Sequence, residues 1–292
     1  LLKILYSFFM IIWIASYPKS GNTWVRSFIS AILNDKNGNF SFNDLITIPQ
    51  YPIRQQFEGF LSDFSNINII KKNWISTQAK INLDKKNKFL KTHHVNCKID
   101  NDSFTNFDNT LGVIYIVRDP RNVITSLVNH YSLKNHLEAK DFLFEEKNWL
   151  GFKKEENKVK LTRFPTLISS WKTNYNSWKN TRENLLIVKY EDLVSNPKSE
   201  FGKIVNYLEQ ILKLNFDKTK IENALSTTSF ETLKKKEINE GFIEGAKDKV
   251  GKGNKRFFNL GPDNNWEKLV NKNIVIEIEK KFQLEMKELG YL

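Results

Sequence analysis

The residue types best suited to binding an anion are concentrated in one segment, Ser16-Tyr17-Pro18-Lys19-Ser20-Gly21-Asn22-Thr23-Trp24. This segment lies between an apolar run and an amphipathic stretch, so it is predicted to connect a strand to a helix. Free backbone N–H groups and the positive end of the helix dipole point at a ligand in such a loop. Lys19 adds a full charge, and Gly21 permits close approach of the backbone. The nucleotide-binding pattern G-x-x-x-x-G-K-[ST] is absent because Lys19 precedes the glycine, and an ordinary capped turn is the alternative.

Arg118 and Ser126 form a second candidate site. Arg118 directly follows the apolar run Gly112–Val117, and an arginine at the carboxyl end of a parallel strand points into the crevice where open α/β sheets bind ligands. Its guanidinium suits bidentate recognition of phosphate. Ser126 lies eight residues later, two turns into a helix that Pro120 is suited to begin. A surface ion pair with Asp119 is the alternative interpretation.

The elements that must position these residues alternate along the chain. Apolar runs predict strands at Ile11–Ser16, Lys88–Thr92, Gly112–Val117 and Leu185–Tyr190. Amphipathic stretches predict helices at Thr23–Leu33, Arg121–Tyr131, Phe164–Trp178, Phe201–Leu212 and Ile274–Leu289. This alternation predicts an α/β fold with a central parallel β-sheet flanked by helices. The Lys- and Gly-rich stretch Thr232–Arg256 is predicted to be a mobile basic loop, either a lid or a solvated segment.

Composition limits the class of protein without deciding its function. The chain has 292 residues with 40% apolar content, which is enough for a substantial core. No linker divides it, so we predict a single domain over residues 10–292, with residues 1–9 as an N-terminal extension upstream of Met10. The apolar start has the character of a signal-peptide core, but no clear cleavage site follows, and it is too short to span a membrane.

Net charge and cysteine content indicate which classes of partner and which cellular compartment suit the protein. The net charge of +12 favours an anionic partner, such as nucleic acid, a membrane surface or a phosphorylated or sulfated small molecule, or it reflects abundant lysine alone. Cys97 is the sole cysteine, which excludes intrachain disulfides and cysteine-rich zinc sites. One cysteine and no clear targeting feature predict a cytoplasmic protein.

Taken together, these segments make the chain resemble the sulfotransferases that use 3′-phosphoadenylyl sulfate (PAPS). The matching motifs, in order, are Tyr17–Trp24, Lys91-Thr92-His93, Ile116–Val123 with Ser126, Tyr190-Glu191-Asp192, Thr228-Ser229-Phe230, Gly261 with Trp266, and Met286–Leu292. They cover nearly the whole chain, and their common order is far more specific than any single motif. The resemblance implies a P-loop-like three-layer α/β/α fold, no metal, and sulfuryl transfer from PAPS to a hydroxyl or amine.

The resemblance also implies a role for each matching residue. The implied donor-binding residues are Lys19, Ser20, Gly21, Asn22, Thr23, Trp24, Arg118, Ser126, Tyr190, Thr228, Phe230, Arg256 and Gly261. Lys19 and its loop would bind the 5′-phosphosulfate, Arg118 and Ser126 the 3′-phosphate, and the aromatic members adenine. His93 would be the general base, since histidine suits proton transfer at neutral pH, and Lys91 would share in stabilising the sulfuryl oxygens.

Three other histidines compete with His93 for the role of base. His94 is adjacent and would point the other way if the strand continues, which favours a packing or surface role. His130 lies on the helix after the predicted 3′-phosphate site and is the second candidate. His136 has no motif around it.

The chain departs from the family pattern near its end. Where family members often carry Arg-Lys-Gly, it has Asn259-Leu260-Gly261, and Lys255 and Arg256 are the candidates to supply the missing charge. Asparagines at positions 264–265 replace a Gly and an Asp of that pattern. The dimerisation segment of the animal cytosolic members is not recognisable after Trp266, which leaves a homodimer open.

Two other functions remain as alternatives at this point. A nucleotide or metabolite kinase would need ATP or GTP with magnesium, and a basic nucleic-acid-binding protein would show steeply salt-dependent binding. The acceptor cannot be identified from the sequence, and a saccharide, a small alcohol or phenol, and an amine are all open. The loops expected to form its pocket lie within Phe40–Lys86 and Leu133–Phe164.

Overall fold

A parallel sheet of four strands forms the centre of the structure, which is a computed structural model. It describes residues 10–155, 158–181, 184–242, 244–245 and 256–292. The strands are β1 (Ile11–Ser16), β2 (Lys88–Thr92), β3 (Lys98–Ile99), β4 (Asp102–Ser103), β5 (Thr110–Val117), β6 (Trp149–Glu155), β7 (Lys158–Leu167) and β8 (Asn184–Lys189). The central sheet has the order β2-β1-β5-β8, while β3–β4 and β6–β7 are separate antiparallel pairs.

Helices connect and cover these strands. They are α1 (Asn22–Asn34), α2 (Arg54–Phe57), α3 (Ile67–Lys72), α4 (Trp74–Ile81), α5 (Pro120–Tyr131), α6 (His136–Phe144), α7 (Trp171–Lys179), α8 (Tyr190–Ser195), α9 (Pro197–Leu212), α10 (Lys218–Thr227), α11 (Phe230–Glu240), α12 (Trp266–Leu269), α13 (Lys272–Lys281) and α14 (Gln283–Glu288). Over the ranges described, none of them combines the length and the apolar character needed to cross a membrane.

The sheet separates two hydrophobic cores because side chains alternate along each strand. From β1, Ile11, Trp13 and Ala15 enter the core that includes residues of α5, α6 and α7. Ile12 and Ile14 enter the opposite core, which includes residues of α1 and α9. Helices therefore pack on both faces of the sheet, and the predicted α/β fold with a flanked central parallel sheet is confirmed.

The strand order brings two loops together at one edge of the sheet. From β1 the chain continues to β2 on one side, and β5 then pairs with the other side of β1. Such a reversal opens a crevice at the carboxyl ends of the strands, where α/β sheets bind ligands. The loop after β1 and Arg118 after β5 therefore lie at the same crevice.

The predicted strands are confirmed with small changes at their ends. Ile11–Ser16 and Lys88–Thr92 have the predicted bounds, and the third strand begins two residues earlier, at Thr110. The fourth ends at Lys189 rather than Tyr190, because Tyr190 begins α8. The predicted helices at Thr23–Leu33, Arg121–Tyr131 and Phe201–Leu212 correspond to α1, α5 and α9.

The predicted helix Phe164–Trp178 is wrong in its first half. Residues up to Leu167 belong to β7, which pairs with β6, and the helix begins only at Trp171. Pro165 disfavours a helix interior there because it lacks an N–H group. Ser170 begins α7 as a cap, because its side chain accepts a hydrogen bond from the Thr173 N–H.

Two C-terminal predictions also need correction. The mobile loop predicted at Thr232–Arg256 begins instead as α11, which the Ser229 side chain caps and Gly241 ends. Lys and Glu are good helix formers, and the one buried residue, Leu233, anchors this helix. Positions 243 and 246–255, like the predicted extension at 1–9, lie outside the described residues. The predicted helix Ile274–Leu289 is two helices, α13 and α14, which meet at Phe282.

Candidate active site

The predicted anion loop connects β1 to α1 through a tight turn. Lys19 has a φ angle of 66° and Gly21 one of 101°. Among the described residues, no side chain caps the start of α1. The first N–H groups of a helix have no acceptor within the helix, so those of this turn are free to bind an anion together with the helix dipole.

Tyr190 explains why position 21 is a glycine. A Cβ atom at Gly21 would lie 2.6 Å from Cδ2 of the Tyr190 ring. Arg118 also contacts the Tyr190 ring, and its guanidinium lies 4.1 Å from the ring centre. The tyrosine that begins α8 therefore packs against both the loop and the arginine.

Arg118 joins the two predicted phosphate sites. Its Nη1 donates to the Lys19 carbonyl at 3.1 Å and to Ser126 Oγ at 3.3 Å. Asn264 donates through Nδ2 to the same Ser126 oxygen at 3.4 Å. The side chains of Arg118 and Ser126 are thus held beside the loop by contacts that leave Arg118 Nε without a partner among the described residues.

Unpartnered donors cluster at this crevice. Trp24 Nε1 and Arg118 Nε belong to residues that line the cleft, and both atoms are buried and make no hydrogen bond within the described part of the chain. Buried polar groups normally have partners, so each exception needs an explanation. These two donors and a free helix N-terminus around a cationic loop suit a ligand that carries several anionic oxygens.

His93 follows β2 and faces the loop from the neighbouring strand. Its Nδ1 lies 2.8 Å from the Ser16 carbonyl oxygen and 3.2 Å from Ser16 Oγ. A carbonyl only accepts, so Nδ1 carries the hydrogen and Nε2 keeps its lone pair. Burial, followed by the charge of Lys91, lowers the pKa of His93 to about 3. The ring is therefore neutral near pH 7, as a proton acceptor must be.

The remaining histidines lie in different surroundings. His94 is fully buried and stacks on Phe104 with ring centres 4.1 Å apart, so it is a core residue. His130 lines the cleft, and burial with the charge of Lys19 lowers its pKa to about 3. His136 begins α6 and does not line the cleft.

Two lysines of the cleft, Lys19 and Lys91, have lowered pKa values, so the charged fraction of each depends on pH. Lys19 Nζ lies 3.8 Å from the centre of the Phe257 ring. Burial, then the charges of Arg118 and Lys91, lower the pKa of Lys19 to about 7. Burial lowers the pKa of Lys91 to about 8, although Glu244 opposes that shift. A bound anion would relieve this crowding of cations.

Comparison with known proteins assigns the chain to a family. Residues 11–290 match the family model described as the sulfotransferase domain. The chain belongs to the sulfotransferase family. It is 29% identical to dog sulfotransferase 1B1 over 226 residues, which is 76% of this chain and 65% of the dog protein. It is 24% identical to flavonol 3-sulfotransferase of Flaveria bidentis over 277 residues, 92% of this chain and 79% of that protein. The chain thus spans slightly less than two thirds of the dog relative's length.

Solved structures share the fold of this sulfotransferase-family chain. A mouse sulfotransferase complexed with PAP superposes with a TM-score of 0.59 at 16% identity, over 95% of this chain and 84% of that one. Retinol dehydratase in a complex with retinol and PAP gives 0.57 at 18% identity, over 95% and 81%. At such low identity the likeness is one of fold alone.

The predicted site residues of this family member mostly meet in one cleft of about 1000 Å³. Those that line it are Lys19, Gly21, Asn22, Thr23, Trp24, Lys91, His93, Arg118, Ser126, Tyr190, Phe230 and Gly261. Gly261 has a φ angle of 54°, and a Cβ atom there would overlap the Phe230 ring. No group of three or more His, Cys, Asp or Glu side chains able to hold a metal occurs in the ranges described.

Three predicted residues do not reach the cleft wall with their side chains. Ser20 is fully buried and does not line the cleft. Thr228 is buried and donates its hydroxyl hydrogen to the Ala224 carbonyl at 2.6 Å. Arg256 is exposed and does not line the cleft, and Lys255 lies outside the described residues.

The cleft contains one carboxylate, among the described residues that line it, that no sequence motif predicts. Glu244 lines it and pairs with Lys91, with Nζ and Oε2 3.5 Å apart. Glu244 lies within the stretch predicted as a basic loop, and no motif distinguishes it from other acidic residues. Only its contact with a residue more than 150 positions earlier identifies it.

Part of the cleft lining is aromatic. Its walls include Tyr131, Phe142, Trp149, Phe152 and Phe258. Three of these five, Phe142, Trp149 and Phe152, lie within Leu133–Phe164, one of the two stretches predicted to contribute to an acceptor pocket. From the other predicted stretch, Phe40–Lys86, Gln50 lines the cleft.

Proposed function

We propose that this protein transfers a sulfuryl group from PAPS to a hydroxyl or amine of a small-molecule acceptor. The observation that carries the proposal is the meeting of Lys19, Arg118 and His93 in one cleft. Family membership and the PAP complexes of proteins with the same fold support it.

The residues present fit PAPS by the chemistry of their donors. The ligand carries phosphosulfate at its 5′ position and phosphate at its 3′ position, and the cleft has a cationic group suited to each. Lys19 and the first N–H groups of α1 would hold the first, and Arg118 with Ser126 the second. Trp24, Tyr190 and Phe230 offer aromatic faces for the base. When bound, PAPS supplies the sulfuryl group and a phosphate leaving group.

The charged residues would act by electrostatic stabilisation. Sulfuryl transfer, like phosphoryl transfer, builds charge on the leaving oxygen in a loose transition state. Preorganised cations are most effective in a site from which water is excluded. Lys19 is partly buried and the Lys91 side chain is 12% exposed, and the charge of each supports the proposal.

His93 would accept the acceptor's proton. Its Nδ1 hydrogen bond to Ser16 fixes the ring and leaves Nε2 as the basic atom. A general base needs this tautomer and an uncharged ring. His130 also lines the cleft, but it lacks a comparable contact with the backbone that would fix its tautomer within the part of the chain described.

The acceptor is proposed to be a small, largely apolar molecule that carries the reacting group. The aromatic side chains in the cleft lining support this, since such side chains bury apolar ligands. The names of relatives agree, because they include a flavonol, a luciferin and steroid sulfotransferases. A saccharide acceptor has less support from these walls.

A cytoplasmic location is part of the proposal. It is supported by the lone cysteine Cys97 and by two relatives named cytosolic sulfotransferases in Arabidopsis thaliana. A homodimer stays a prediction.

The direct test is transfer of ³⁵S from labelled PAPS to a panel of phenols, aliphatic alcohols, amines and saccharides. We expect labelled product with at least one phenol or alcohol, without added magnesium. Phosphate transfer from ATP and magnesium to the same panel, with no ³⁵S product, would instead establish the kinase alternative.

A further inference from the structure

Three charged residues from distant parts of the sequence are connected by two ion pairs, and two of the three residues line the cleft. Lys91 Nζ lies 3.5 Å from Glu244 Oε2, and Arg26 Nη1 lies 2.8 Å from Glu244 Oε1. Arg26 belongs to α1, which follows the anion loop, and Lys91 belongs to β2, which precedes His93. Glu244 therefore connects the element that carries the donor loop to the one that carries the proposed base.

Arg26 provides a fixed anchor for the carboxylate. Its side chain is only 3% exposed, and its Nη2 donates to the carbonyls of Leu45 at 3.3 Å and Ile48 at 3.0 Å. An arginine keeps its charge when buried, so it demands an anion beside it. Burial would raise the pKa of Glu244, but Lys91 and Arg26 outweigh it and lower that pKa to about 2. The carboxylate is thus ionised at any working pH.

Lys91 depends on this carboxylate because its other titratable neighbours are either cationic or neutral. Arg26 and Arg163 both act to lower its pKa, and Lys19 and the neutral His93 lie in the same cleft. Glu244 is the one carboxylate among the described residues that line the cleft. The backbone of Lys91 is held independently, since its N–H donates to Pro49 at 2.9 Å and its carbonyl accepts from Tyr51 at 2.8 Å. Glu244 therefore acts on the amine rather than on the strand.

We propose that Glu244, anchored by Arg26, is a positioning residue that keeps the Lys91 ammonium charged and fixed in the cleft. The catalytic consequence rests on the proposed function, because a charged Lys91 matters only if negative charge develops beside it. The ion-pair relation itself does not rest on that function, so the two can fail separately.

The first experiment measures the Lys91 titration directly. ¹³C NMR of the protein labelled with [¹³Cε]lysine follows each amine with pH, and the spectrum of Lys91→Arg identifies the resonance. We expect Lys91 to titrate in Glu244→Gln at least ~1 pH unit lower than in wild type, as for loss of an opposite charge. Glu244→Asp should restore most of that difference. Glu240→Gln is the control, because Glu240 is exposed and pairs with Lys236 away from the cleft.

The second experiment separates this role from a merely structural one. In Glu244→Gln, kcat with labelled PAPS should fall by roughly 5-fold at about pH 8 and by less than ~2-fold at about pH 6, where Lys91 stays charged. An equal loss at both pH values, or an unchanged Lys91 titration, would overturn the proposal. If the wild-type protein transfers no label, the proposed function fails while the NMR result still decides the role of Glu244.

Discussion

His93 owes its place to a hydrogen bond as much as to its strand. The bond to the Ser16 carbonyl orients the ring and determines which nitrogen is basic. Removing a well-placed base typically costs a factor of 10² to 10⁴ in rate. We therefore expect His93→Ala to lower kcat by at least ~100-fold.

The control for this prediction is His136→Ala, measured in the same ³⁵S transfer assay. His136 lies outside the cleft lining, so its removal should leave kcat within ~2-fold of wild type. A normal rate in His93→Ala would transfer the role of base to His130.

The two cleft lysines predict how activity depends on pH. Lysine is charged below its pKa and loses that charge as pH rises through it. With the pKa of Lys19 about 7 and that of Lys91 about 8, kcat/KM for the donor should fall as pH increases above about 7. The neutral His93, whose pKa is about 3, should add no acidic limb above roughly pH 4.

Lys19→Arg offers a matched variant for this profile. Arginine does not titrate in this range, so the fall that belongs to position 19 should disappear while that of Lys91 remains. A rate that increases steadily through about pH 9 would show that these lysines do not act as charged groups.

Site residues that belong to a sequence motif could be predicted, whereas site residues outside any motif could not. Lys19, His93 and Arg118 each belong to a short motif at the end of a predicted strand, so their positions could be predicted from neighbouring residues. Arg26 and Glu244 interact across 218 positions, and nothing local to either one indicates the other.

Gly21 illustrates how a single element depends on the absence of a side chain. Alanine there would need a φ angle of 101° and would meet the Tyr190 ring. Strain of this kind costs about 1–3 kcal/mol. We expect Gly21→Ala to lower the free energy of unfolding by about that amount and to weaken binding of adenosine 3′,5′-bisphosphate by at least ~10-fold, measured by urea denaturation and calorimetry.

Gly202→Ala is the control for this substitution. Gly202 lies in α9, and a Cβ atom there would have no neighbour within 4 Å. Alanine should therefore stabilise the helix by roughly 0.5–1 kcal/mol without changing ligand binding. If both substitutions changed stability and bisphosphate binding equally, the loop geometry at Gly21 would not explain the effect.

Most elements could be predicted because each has a consistent local pattern. β1 is a continuous apolar run from Ile11 to Ala15, and α1 and α5 have one apolar face. The segment 158–167 could not be predicted as a strand, because its partner β6 lies earlier in the chain and pairing depends on both. The helix α11 was missed because its lysines and glutamates leave only Leu233 to indicate a buried face.

For the whole molecule, the parallel sheet brings residues from separate motifs to a single crevice. Lys19 follows β1, His93 follows β2 and Arg118 follows β5. These residues lie close together because the three strands are neighbours in the sheet. Three cationic side chains of the cleft lining, Lys19, Lys91 and Arg118, thereby lie where an anionic donor would bind. The general location of this crevice could be predicted because Lys19 and Arg118 each follow a predicted strand, but the aromatic walls could not, since most of them come from α5, α6 and a hairpin.

The most direct test of the account is calorimetric titration with adenosine 3′,5′-bisphosphate, with ADP and magnesium as the comparison. We predict binding at least ~10-fold tighter for the bisphosphate, and a loss of roughly 10- to 100-fold in Arg118→Ala, as expected when a charged hydrogen-bonding partner is removed. The unfolding curve of Arg118→Ala should show that the variant remains folded. Binding of ADP with magnesium but not of the bisphosphate, or unchanged affinity in Arg118→Ala, would contradict the account.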